Sequence, residues 1–65
     1  MNEQKALKHL KGLLQAAENE NWNLGRMHVI DGYLAAINDL TGKEYSFSGT
    51  EIVLCNGSER TEVIF

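Results

Sequence analysis

The chain has 65 residues, a net charge of −3, one cysteine and no proline. That length allows one domain near the lower limit of independent folding, and a single cysteine excludes the internal disulfide that often supports such domains. The apolar content of 43% is too high for disorder, and the acidic balance argues against nucleic acid or an anionic membrane as partner.

Residues 3–20 are expected to form the first helix. Asn2 is a suitable N-cap, and Glu3 favours the positive end of the helix dipole. At 100° per residue Ala6, Leu7, Leu10, Leu13, Leu14 and Ala17 fall in one stripe about 120° wide. Lys5, Lys8 and Lys11 lie on the opposite side, where a solvated face is the plain reading. The segment "NENWN", Asn19 to Asn23, reads as a short loop, so the two helices should form an antiparallel hairpin.

Residues 24–41 are expected to form the second helix, closed by Gly42 in the left-handed conformation. Its apolar arc is wide: Met27, Val29, Ile30, Tyr33, Leu34, Ala36, Ile37 and Leu40 span about half the circumference. A helix this broadly apolar should meet more than one neighbour. Gly25, Gly32 and Ala36 lie together on its back, and an interior Gly costs about 1 kcal/mol relative to Ala. They suggest close approach of some group to the backbone.

Residues 43–65 read as a three-strand meander, with strands over 43–48, 51–55 and 60–65. Gly49-Thr50 fits a type II′ turn that pairs Phe47 with Ile52 and Tyr45 with Leu54. A two-residue Asn56-Gly57 turn would set Glu51 against Glu62. A four-residue loop, Asn56 to Glu59, sets Leu54 opposite Thr61 and Ile52 opposite Val63, which matches apolar with apolar. The inner face is then Tyr45, Phe47, Ile52, Leu54, Val63 and Phe65, under the helices. The fold class is α+β, a single domain in the order α-α-β-β-β.

The outer face would carry Val53, Glu62 and Ile64. The third strand is an edge without proline or lysine to blunt it. Val53, Glu62 and Ile64 are therefore the expected interface residues of a homo-oligomer.

Chemistry-bearing residues are sparse. His28 with Asp31 or Glu20 could begin a metal site or a base–orienter pair, but no third ligand or nucleophile accompanies it. His9 sits beside the apolar stripe. Cys55 lacks a histidine or oxyanion loop by spacing, so an inert thiol is the plain reading. Trp22, Arg26, Tyr33 and Arg60 are the candidate ligand-binding residues. Arg26 in the first turn of a helix opposes the dipole, so it should pair with a nearby Glu or hold a small anion. Trp22 is either a cap on the core or a stacking platform.

No cofactor is implied, and the polar N-terminal segment and the lack of long apolar runs point to a cytoplasmic protein without a membrane span. The expected function is that of a non-enzymatic protein binding a larger protein stoichiometrically, as inhibitor, adaptor or regulator. Chains of this size are common among phage and mobile-element accessory proteins. An oligomeric small-ligand or nucleotide-binding protein is the second reading, with sites at subunit boundaries, and a nucleic-acid-binding regulator the third.

Overall fold

The computed structural model describes residues 2–65. In chain order it holds α1 (Glu3–Asn19), α2 (Leu24–Thr41), β1 (Glu44–Ser48), β2 (Glu51–Asn56) and β3 (Glu59–Glu62). The two helices form a hairpin, and it packs on an antiparallel sheet of order β1-β2-β3.

Each helix starts on an asparagine. The Asn2 side-chain oxygen accepts from Lys5 N–H at 3.0 Å, and that of Asn23 accepts from Arg26 N–H at 2.9 Å. The helix α1 ends in a Schellman arrangement: Trp22 N–H donates to Ala17 C=O at 2.7 Å and Asn21 N–H to Glu18 C=O at 3.2 Å. Asn21 and Trp22 both take φ of 55°, a conformation unfavourable for a bulky residue. Trp22 is held there by stacking on Phe47, with centroids 6.4 Å apart and planes 5° from parallel. Gly42 closes α2 with φ of 67°, as expected.

The core joins one stripe of each helix to the inner face of the sheet. Ala6, Leu7, Leu10, Leu14 and Ala17 of α1 are buried, together with Ile30, Ile37, Tyr45 and Ile52. Leu13, Met27, Tyr33, Leu34, Phe47, Leu54 and Val63 pack around them, half-buried. The expected stripe of α1 is thus the buried one. On α2 only part of the wide apolar arc is used. α2 lies against α1 and β1, but Val29, Ala36 and Leu40 remain exposed.

The strand register is the expected one, with Phe47 opposite Ile52, Tyr45 opposite Leu54 and Leu54 opposite Thr61. Two details differ. The second loop is not four unpaired residues, because Asn56 and Glu59 form the closing pair of a two-residue Gly57-Ser58 turn. Gly57 at φ of 65° makes that tight turn accessible. The third strand therefore starts one residue early, at Glu59, and ends at Glu62 instead of Phe65. Val63 N–H still donates to Ile52 C=O at 2.8 Å. Continuing that register would set Phe65 opposite Thr50, in the β1–β2 turn, where no strand flanks it. Phe65 is 43% exposed and is not a core residue, contrary to the alternation of the sequence. Neither helix lies over β3: α1 packs on β2 and α2 on β1, and all four β3 residues are exposed.

Candidate functional site

Three features of the molecule could carry function: the outer face of α2, the free edge of the sheet, and the polar side chains set apart by the sequence.

The polar side chains are largely engaged inside the chain. Arg26 donates to Glu20 through Nε at 3.1 Å and through Nη2 at 2.6 Å. Glu20 also accepts from Asn23 at 3.1 Å, so the anion that Arg26 needs is supplied locally. Trp22 stacks on Phe47 as a cap on the core, and Tyr33 lies against His9 with ring centroids 5.0 Å apart. Arg60 stands opposite Cys55, and strand alternation puts it on the sheet face away from Phe47. Arg60 is thus not brought together with Trp22. Cys55 and Arg60 share a shallow depression of about 410 Å³ with Ser46 and Glu44, and neither histidine lines it. His28 is exposed. Among the described residues no three His, Cys, Asp or Glu side chains converge as a metal site requires.

One cluster escaped the sequence reading. Glu3, at the start of α1, accepts from Lys43 Nζ at 2.8 Å and from the Tyr45 hydroxyl. It clasps the first helix to the first strand across some 40 residues of chain. No local pattern announces it. The Lys43 hydrogen bond, then the Tyr45 hydroxyl, hold the Glu3 carboxyl below its ordinary range. The Lys43 ammonium is raised by the same bond to Glu3. Tyr45 is raised first by burial and then by Glu3. The Glu3 contribution is full above the ordinary carboxyl value of 4.5 and is lost as pH falls through its lowered one. The Lys43 and Tyr45 contributions are present below 10.5 and 10.0 and are lost as pH rises through their raised values. Urea midpoints measured from pH 2 to 11 should therefore decline at both ends, and Glu3→Gln should reduce both declines. An unchanged profile in that variant would contradict the clasp.

The two sheet edges differ. Val63 and Ile52 are a hydrogen-bonded pair, so the antiparallel alternation turns the backbone groups of Arg60 and Glu62 away from β2. The outward residues of β1 are Tyr45 and Phe47, and the first of them is closed off by a helix side chain. Asn38 Nδ2 donates to Tyr45 C=O at 3.0 Å, and Tyr45 N–H donates to Asn38 Oδ1 at 2.8 Å. One amide thus imitates a neighbouring strand. Among the described residues, no side chain covers the edge of β3 in this way. Of the expected interface residues, Val53 is half-buried at the centre of the outer face, while Glu62 and Ile64 are exposed, Ile64 at 82%.

The outer face of α2 also exposes apolar side chains. Leu24, Val29 and Leu40 are 75%, 52% and 68% exposed. On a helical wheel Val29, Gly32, Ala36 and Leu40 follow one another along a single face, with Gly25 one turn before Val29. A Cβ built on Gly32 would meet nothing within 4 Å among the described residues, and one on Gly25 only the Asn23 side chain at 3.6 Å. The close approach suggested by these glycines is therefore not made by the described residues. Exposed Asp39 borders this face, beside Gly32 on the wheel.

Comparison with known proteins adds no identification: no family model, no curated protein and no solved structure matches the chain. Among the described residues no helix is long and apolar enough to cross a membrane.

Proposed function

We propose that this chain is a non-catalytic binding protein that acts stoichiometrically on a larger protein, as inhibitor, adaptor or regulator, and that also associates with itself. The observation that carries the reading is the outer face of α2, where Val29 and Leu40 stand exposed on either side of Gly32 and Ala36. Isolated surface apolars are ordinary. Val29 and Leu40 aligned on one helix face, with small Gly32 and Ala36 between them, form a patch of the kind that marks interaction sites. Small residues let a partner helix or loop approach the backbone, and the flanking Val and Leu supply buried area once it does. Asp39 on the rim favours a partner whose apolar groove is bordered by lysine or arginine. Chains of this size are common among phage and mobile-element accessory proteins, some of which inhibit host systems.

The reading is tested with Val29→Asp combined with Leu40→Asp. Both positions are exposed, so each should cost no more than about 1 kcal/mol, through helix propensity and, at Leu40, the helix dipole, and leave the fold intact. Immobilised wild-type protein should retain a defined partner from host extract, and the double variant should bind that partner at least about tenfold more weakly. Equal retention by both proteins, or no retention above background by the wild type, would overturn the reading.

A further inference from the structure

We infer that a second copy of this chain pairs with the β3 edge in antiparallel orientation, with Arg60 opposite the partner's Glu62 and Thr61 on the two-fold axis. This deepens the self-association half of the proposed function and rests on it.

The two edges of the sheet are not equally open. The edge of β1 is closed at Tyr45 by the Asn38 amide, whereas β3 presents the backbone groups of Arg60 and Glu62 outward. Neither helix reaches over β3, so a neighbouring strand can lie alongside without meeting α1 or α2.

Charge then selects the register. Outward-facing residues must pair with outward-facing residues, which leaves few two-fold arrangements. Centring on Arg60 sets arginine against arginine. Centring on Glu62 or on Glu59 sets glutamate against glutamate. A parallel, in-register pairing also sets like on like. Centring on Val63 sets Glu62 against Ile64 and makes no Arg60–Glu62 pair. Only the arrangement centred on Thr61 makes two cross-strand ion pairs, each Arg60 facing the partner's Glu62, with a Thr–Thr pair between them. It joins two three-stranded sheets into one of six strands. It also brings exposed Ile64 diagonally beside the aliphatic stem of the partner's Arg60, which gives that residue something to cover it.

The test uses the full chain. Light scattering after size exclusion, across a dilution series, should show a dimer. Arg60→Glu should weaken it at least about tenfold by turning two attractive pairs into repulsive ones. Adding Glu62→Arg to that variant should restore it, because the swapped charges again face each other. Thr61 is a non-hydrogen-bonded pair on the axis, with Cα atoms about 4.5 Å apart, within reach of a disulfide. Thr61→Cys in a Cys55→Ser background should therefore cross-link on mild oxidation. Circular dichroism on each variant checks that the fold is kept. A dimer indifferent to Arg60→Glu and without a Thr61→Cys cross-link would overturn this register and leave self-association standing. A monomer at every concentration would overturn both.

Discussion

Leu14→Ala is expected to leave most of the chain unfolded at 37 °C. Leu14 is completely buried on the core stripe of α1, together with Leu10, Ile30 and Ile52. Truncating a buried leucine costs about 2–5 kcal/mol, because apolar contact is lost and a cavity remains. A core in a domain this small rarely supplies more than about 3–5 kcal/mol of net stability. The loss is therefore comparable to the whole margin. Urea unfolding followed by circular dichroism would show a wild-type transition that is absent, or shifted close to zero denaturant, in the variant. Phe65→Ala is the contrasting substitution. Its side chain has no strand beside it and lies outside the buried cluster, so the change should stay within about 0.5 kcal/mol. Comparable losses at both positions would mean that the core is drawn wrongly.

Asn38→Ala is expected to have the second-largest effect, through two routes. The amide satisfies both the N–H and the C=O of Tyr45 in a half-buried position. Removing it orphans one donor and one acceptor, at a cost of about 1–3 kcal/mol for each group that water cannot reach. It also unblocks the β1 edge, giving the sheet two open edges instead of one. The variant should melt at a lower temperature and, near its midpoint, form larger species as concentration rises. Thermal melts at two concentrations would read both effects. A variant with wild-type melting and no added association would show that water replaces the amide without loss and that the edge was never exposed.

How much of this was legible in the sequence depends on how many neighbours an element has. The stripe of α1 could be read from period alone, since one face of that helix meets the core and the other meets water. The first hairpin could be read because Gly49 selects the turn and the apolar residues match in one register only. The helix α2 was harder. Its apolar arc is wider than two neighbours can cover, so period identifies the residues and not which of them stay outside. Burial of Ile30 and Ile37 with exposure of Val29 and Leu40 is settled by where α1 and β1 lie, which no local pattern encodes.

Phe65 failed for a related reason. Alternation assigns a side chain to a face of the sheet, and it carries no information on whether a helix covers that part of the face. The clasp of Glu3 with Lys43 and Tyr45 joins segments far apart in the chain, and Glu3 taken alone looks like an ordinary first-turn acid. Asn38 did leave a faint signal, being a polar, weakly helix-forming residue beside core-facing Ile37 one turn before the helix ends. For the candidate site, Val53, Glu62 and Ile64 follow from alternation and from the unblunted strand. The set of Trp22, Arg26, Tyr33 and Arg60 does not come together, because Glu20, Phe47 and His9 engage the first three and the fourth lies across the sheet.

The central claim is that α2 keeps its outer face free for a partner while copies of the chain meet along β3. The most direct measurement is nuclear magnetic resonance of the free protein with a soluble paramagnetic probe, at concentrations where it self-associates. The account predicts strong broadening of the Leu24, Val29 and Leu40 methyl signals, none for Ile30, Ile37 and Ile52, and shielding of the Arg60 and Glu62 amides. Shielded Val29 and Leu40 methyls with broadened Arg60 and Glu62 amides would contradict it, because the copies would then meet through α2 and leave no such face for a partner.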